Sequence, residues 1–196
     1  MNPKVLLIAG SPTSGSHTRA VLEALSARLV AFGAVPSLLD LALVSLPRCD
    51  PRFHSDPSEH PDPAVGAFAE RVRSADAIVL GTPLYHGSYS GVLKDALDLL
   101  ASDGFDDKPV GLVSHGAGIR ACTLPCEHMR AIVRAMGGVS TQSQIGTTKS
   151  DFESNAEGTR TLVNPDILAR VETMARELIA LSYGMAAKRI AERKLG

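Results

Sequence analysis

The chain has 196 residues, 44% of them apolar, with 20 basic against 21 acidic side chains and a net charge of −1. That length supports one buried core and a single domain over residues 1–196. The charge balance excludes both the basic field of a nucleic-acid binder and the polybasic stretch of a membrane-surface protein. The amino-terminal apolar run, Val5 to Gly10, is far shorter than the ~20 residues of a membrane span, and no cleavage-site pattern follows it. A cytoplasmic protein with no nucleic-acid and no membrane partner is therefore expected.

Short apolar runs alternate with helical patterns along the chain, as in a parallel sheet wrapped by helices. Lys4–Ala9 reads as a buried central strand, and His17–Phe32 follows with Val21, Leu22, Leu25 and Leu29 at helical spacing. Val35–Leu41 is the second strand. A long Pro-, Asp- and His-containing stretch, Ser45–Pro63, leads to a helix over Ala64–Ser74. Asp76–Thr82 is the third strand. Ser90 caps the next helix, which carries Leu93, Ala96, Leu97 and Leu100 and stops near Gly104. Val92 and Leu99 fall outside its main stripe and mark a face for a symmetric homodimer or homotetramer, with Tyr89 or its neighbours completing the partner's site. Pro109–Ser114 is the fourth strand, Arg120–Met136 is mostly helix, and Val139–Ile145 is the fifth strand. Asn164 caps the last helix with Pro165 at its first position. The tail Ala186–Gly196 is basic and polar, a dimer contact or a frayed end. Cys49, Cys122 and Cys126 form no metal or disulfide framework and read as structural thiols.

Five strands with intervening helices fit a flavodoxin-like or a dinucleotide-binding sheet, and both place ligands at the carboxyl ends of the strands. The loop after the first strand, Gly10-Ser11-Pro12-Thr13-Ser14-Gly15-Ser16-His17-Thr18-Arg19, carries five hydroxyl side chains at a helix amino terminus, which suits a phosphate monoester. It lacks the Walker pattern, and Gly10 and Gly15 have the wrong spacing for a dinucleotide fingerprint. An ordinary Ser/Thr-rich turn with Ser16 as cap is the plain alternative. The loop after the third strand, Gly81 to Gly91, holds Pro83, Leu84, Tyr85, His86, Gly87 and Tyr89. Its two tyrosines, in a chain of eight aromatic residues, offer surface to a planar ligand or cover the strand ends. His86 is either a general-acid candidate or a solvated side chain. After the fourth strand, Ser114, His115, Gly116, Ala117 and Gly118 are small enough for a flat ring to lie against the backbone.

These loops together resemble the NAD(P)H-dependent FMN reductase family, and most of all the flavin reductases that serve alkanesulfonate monooxygenases. The likeness runs from Val5 to about Met136. It is strongest in Thr82-Pro83-Leu84-Tyr85, Tyr89-Ser90-Gly91-Val92-Leu93-Lys94 and Asp98-Leu99-Leu100. It implies a flavodoxin-like doubly wound five-stranded parallel sheet of strand order 2-1-3-4-5, with FMN and NADPH as cofactors and NADH also usable. By position, Ser11, Ser16 and Thr18 would hold the FMN phosphate. Pro83, Leu84 and Tyr85 would line the isoalloxazine, with His86 and Gly87 beside them. The Ser114–Gly118 loop, including His115, Gly116 and Gly118, would meet the pyrimidine edge. The reaction implied is hydride transfer from nicotinamide to flavin N5, with no catalytic side chain, supplying reduced FMN to a partner monooxygenase. The alternatives are an FMN-retaining quinone, azo or metal-ion reductase, and an electron carrier, against which the small net charge argues. Two departures stand out. Thr13 occupies the place where the family carries an arginine, leaving His17 or Arg19 to supply charge and Arg19 or Arg120 to meet an NADPH 2′-phosphate. No tyrosine lies between Gly118 and Met136. His128 falls near that place, and Pro125 is expected to break a helical hydrogen bond there.

Overall fold

Val5, Leu7 and Ala9 point to one face of the first strand and Leu6 and Ile8 to the other, and all five are buried. A strand apolar on both faces must be covered on both. The computed structural model describes residues 2–118 and 122–195 and has that arrangement. Strands β1 (Lys4–Ala9), β2 (Val35–Asp40), β3 (Ala77–Pro83), β4 (Pro109–His115) and β5 (Val139–Thr147) form one parallel sheet in the order β2-β1-β3-β4-β5. Helices α1 (His17–Ala31) and α5 (Pro165–Leu195) cover one face, packing Leu22, Leu25, Met174 and Leu178 onto Val5, Leu7, Val79 and Val113. Helices α2 (Pro63–Ser74), α3 (Gly91–Leu97) and α4 (Leu124–Ala135) cover the other, with Phe68, Leu93 and Met129 against Leu6, Ile8, Ile78 and Leu80. The flavodoxin-like topology expected from the sequence is the one observed.

Local departures have local causes. Pro125 is the second residue of α4, where an N–H needs no intrahelical partner, so it starts this helix and breaks no bond within it. Helix α3 ends at Leu97, and Leu99, in the following turn, is only 4% exposed. Leu99 thus belongs to this chain's own core and is not part of a dimer face. The tail is helical through Leu195 and not frayed: Lys188 Nζ pairs with Asp107 at 2.6 Å, and Arg189 donates to the Asp107 carbonyl at 3.3 Å. Between Val110 and Leu112 of β4, strand β5 advances from Ser140 to Gln144, so two of its residues bulge out of register. Beyond β5 lies a hairpin absent from the sequence reading, β6 (Phe152–Ser154) paired antiparallel with β7 (Arg160–Leu162). Cys122 and Cys126 are buried, and burial pushes the Cys126 thiol up to about 11, in keeping with structural thiols. Among the described residues no helix is long and apolar enough to cross a membrane.

Candidate functional site

Helices α1 and α3, which follow β1 and β3, lie on opposite faces of the sheet, so the loops entering them splay apart at the carboxyl ends of these adjacent strands. Such a switch point opens a crevice for a ligand. A cleft of about 330 Å³ lies there, within the ~300–1,000 Å³ usual for small-molecule sites. Ser11, Thr13, Ser16, His17 and Thr18 line it from the first loop, and Pro83, Leu84 and Tyr85 from the loop after β3. His115, Gly116 and Ala117 line it from the end of β4, and Arg160 from β7. A larger groove of about 510 Å³, between Arg73, Asp103, Asp106 and Lys108, sits at the amino ends of the strands and has none of these loops.

Hydrogen bonds lock the loops to one another. Gly10 N–H donates to Gly81 O at 2.7 Å, Leu84 N–H to His115 O at 2.7 Å and Gly116 N–H to Thr147 O at 2.9 Å. Ser90 joins two loops: its hydroxyl donates to Gly10 O at 2.5 Å, and its N–H donates to Thr82 Oγ1 at 2.9 Å. Gly10 must be glycine, since a Cβ there would stand 2.7 Å from Leu93 Cβ and 2.8 Å from Gly81 O.

The first loop presents donors. Ser16 caps α1, its Oγ accepting from Arg19 N–H at 3.2 Å, which leaves the hydroxyl proton for another acceptor. Ser11 Oγ is engaged with Thr13 N–H (3.2 Å) and O (3.3 Å), folding the loop on itself. Thr18 is buried, and its methyl would lie 2.9 Å from a Cβ at Gly81. With the amino end of α1 above them, these groups favour an anion. Across the cleft, Tyr85 is 45% exposed and carried by a tight turn. Tyr85 and Ser88 exchange hydrogen bonds of 2.9 and 3.0 Å around His86 (φ 48°) and Gly87 (φ 82°). Positive φ at both central residues is what a two-residue hairpin turn requires. Ser88 Oγ lies 3.0 Å from His128 Nδ1, which pins the turn to α4.

Two histidines meet between the walls. The His17 and His115 rings stack with centroids 4.2 Å apart and planes 5° from parallel, and Phe152 packs edge-on at 4.8 Å from His17. His115 Nδ1 lies 3.1 Å from Thr147 Oγ1. Burial, then the neighbouring His17, lowers the His115 pKa to about 4. His17 is also lowered, by burial and then by Arg160 and Lys149. Both shifts oppose the charged form of the ring, so the structure does not favour His17 as the source of the charge expected of it. Arg19 does not supply it either. Its guanidinium is bound to Glu23 and Asp40, each at 2.8 Å, and it lines an adjoining cleft. Arg120 lies outside the described residues.

The structure therefore gathers Ser11, Ser16, His17, Thr18, Pro83, Leu84, Tyr85, His115 and Gly116 around one cleft. Four other expected residues do not line it. His86 and Gly87 shape the turn that carries Tyr85, and Gly118 lies beyond the lining segment. Ser114 is fully buried, its hydroxyl donating to Cys122 O and accepting from the Cys126 thiol at 3.3 Å. Sequence reasoning missed Arg160 and Phe152. The available signal was Asn155 and Gly158, turn residues inside a polar stretch before Asn164.

Residues 3–151 match the family model described as NADPH-dependent FMN reductase. The FMN-dependent NADPH-azoreductase of Staphylococcus saprophyticus subsp. saprophyticus is 37% identical over 177 residues, covering 90% of this chain and 94% of the relative. The protein of the same name from Staphylococcus aureus is 34% identical with the same coverage. Among solved structures, the chain superposes on an NADH:FMN oxidoreductase in its apo form with a TM-score of 0.71 at 18% identity, covering 93% of this chain and 90% of the other. It superposes on the flavoenzyme NAD(P)H:(acceptor) oxidoreductase from Paracoccus denitrificans with a TM-score of 0.73 at 16% identity, covering 93% and 98%. These last two likenesses carry the fold, and the sequence matches carry the family. With its cleft at the switch point of a 2-1-3-4-5 sheet and three-quarters of its length matched, this chain belongs to the NADPH-dependent FMN reductase family.

Proposed function

We propose that the protein is an NAD(P)H:FMN oxidoreductase that binds FMN in the cleft over β1 and β3. The observation that carries this reading is the pairing, in one cleft, of a hydroxyl-lined helix entry with the Pro83-Leu84-Tyr85 wall. The donor set fits the cofactor: hydroxyls and helix amides suit a phosphate, and an exposed aromatic wall suits a planar ring. Bound FMN supplies a hydride acceptor at N5. The chain's residues supply position. Ser11, Ser16 and Thr18 hold the phosphate end. Pro83, Leu84 and Tyr85 set the plane of the ring, with His86 and Gly87 fixing the turn that presents Tyr85. The loop from His115 to Gly118 meets the polar edge, where backbone N–H groups stabilise negative charge. Ser114 acts from behind, anchoring that loop through Cys122. No side chain is assigned to bond breaking, because alignment of two rings at contact distance is what the hydride transfer needs.

NADPH is the proposed donor, with NADH as a poorer one. Reduced FMN passes to a flavin-dependent monooxygenase, an exchange that the surface position of Tyr85 allows. A second reading keeps FMN bound and passes electrons to an azo compound, and the names of both staphylococcal relatives favour it. The protein works in the cytoplasm as a homodimer or homotetramer, and the exposed Val44, lining one groove with Val92, offers an apolar contact together with Leu43, its neighbour in the chain. The test is a spectrum of the purified protein after gel filtration, followed by NADPH and NADH oxidation with and without added FMN or an azo dye. NADPH oxidation that requires added FMN supports the exchange reading. Retained yellow flavin with dye bleaching supports the azo reading. No flavin-dependent oxidation of either nucleotide overturns both.

A further inference from the structure

We infer that Arg160, reaching over from the β6–β7 hairpin, is the cation that neutralises the flavin phosphate held by the Ser11–Thr18 loop. The inference rests on the flavin site proposed above. Arg160 opens β7, yet its guanidinium donates a hydrogen bond to Gly15 O in the first loop, 145 positions away in the chain. It lines the flavin cleft beside Ser11, Thr13 and Ser16, and also the adjoining cleft beside Ser14 and Gly15. Its head therefore stands on the ridge between the two. Among the described residues that line the flavin cleft, it is the one lysine or arginine.

Its guanidinium is also free of any direct ion pair among the described residues, although Glu23 and Glu157 line the adjoining cleft with it. Arg19 is spent on two carboxylates, whereas Arg160 has no carboxylate partner among the described residues. A guanidinium carries five N–H donors in a planar fork, and one carbonyl uses only part of that capacity. The hairpin keeps the arm in place. Asn155 Oδ1 accepts from Glu157 N–H at 3.1 Å and Thr159 N–H at 2.8 Å, closing its turn, and Phe152 packs against His17 and His115. After burial, Arg160 is one of the two charges that lower the His17 pKa, which places it within reach of this cleft. A dianionic phosphate is the ligand such a field attracts.

The apo protein is titrated with FMN and with riboflavin, which lacks the phosphate, by flavin fluorescence quenching. Arg160→Gln keeps a donor for Gly15 O and removes the charge. It is expected to weaken FMN roughly ten- to hundredfold, as for a lost charge-assisted hydrogen bond, while riboflavin changes less than about twofold. Arg160→Lys retains most of the FMN affinity, and FMN binding by Arg160→Gln is less sensitive to salt. Adding Thr13→Arg to Arg160→Gln restores FMN affinity, because Thr13 lines the same cleft. Equal loss of FMN and riboflavin, or no loss of either, overturns the role given to Arg160 while leaving the flavin site standing. A raised KM for NADPH relative to NADH with unchanged FMN affinity assigns the charge to the dinucleotide's 2′-phosphate and overturns it as well. A wild-type protein that binds neither flavin overturns the flavin site itself.

Discussion

Ser16 shows how one oxygen can serve fold and ligand together. Its lone pair caps α1 through Arg19 N–H, and α1 has no acidic residue in its first turn to meet the helix dipole. An aspartate caps a helix as well as a serine does but places a negative charge where the flavin phosphate is proposed to sit. Ser16→Asp should therefore keep or raise the melting temperature, weaken FMN at least about tenfold and leave riboflavin nearly unchanged. Melting curves and the two flavin titrations check this, and equal weakening of both flavins would count against the phosphate assignment. The histidine stack has a consequence for stability. His115 titrates near 4 in the folded protein against 6.5 in an exposed chain, so below pH 6.5 the unfolded chain takes up the proton first. The stabilisation is present in full above pH 6.5 and is lost progressively as pH falls toward about 4. His17, Arg160 and Lys149 add positive charge to this environment and Asp151 opposes it. The urea midpoint should fall through this window, and His115→Gln, which can still bond Thr147, should flatten the fall.

At the level of elements, the cleft depends on short ties between loops more than on the helices behind them. Ser90 caps the seven-residue α3 through Leu93 N–H and holds the Gly10 carbonyl, all within a buried environment. Ser90→Ala would leave that carbonyl unpaired, at a cost of about 1–3 kcal/mol, and loosen β1's loop from β3's. Here FMN and riboflavin should weaken together, in contrast to Ser16→Asp, with a lower thermal midpoint. The large elements were legible from sequence because β1, β3 and β4 are continuous apolar runs and α1 has an unbroken apolar spacing. The hairpin was not: each of its strands has three residues, and polar side chains dominate both, so neither period could register. Pro125 was misread because a proline two residues into a helix and one in its middle look alike until the start of the helix is known. Ser114 was misread for a related reason, since sequence places it at a strand end without saying that Cys122 and Cys126 close over it. Arg160 escaped because its partner, Gly15, is distant in the chain.

On the scale of the whole molecule, the proposed assembly has to bury what the chain leaves exposed. Leu99 is ruled out by its own burial, but Val44, 37% exposed, lines one groove with the half-buried Val92, and Leu43, next to Val44 in the chain, is 66% exposed. Sedimentation at micromolar concentration should give a dimer or tetramer, and Val92→Asp should shift it toward monomer. A fully active wild-type monomer would defeat the assembly. The strand order also bears on how the protein is made. β1 is synthesised before both of its neighbours yet lies between them, with Val5 opposite Pro36 of β2 on one side and Ala77 of β3 on the other. At ~5–20 residues per second, a growing chain needs roughly 4–14 s to extend from Val5 to Ala77. Once clear of the ribosome, Val5–Ala9 keeps a bare edge until β3 follows it by that interval, and the edge is open to pairing with neighbouring nascent chains. The hazard lies between the emergence of β1 and that of β3, so pauses within that window should raise the aggregated fraction while pauses after β3 has emerged should not.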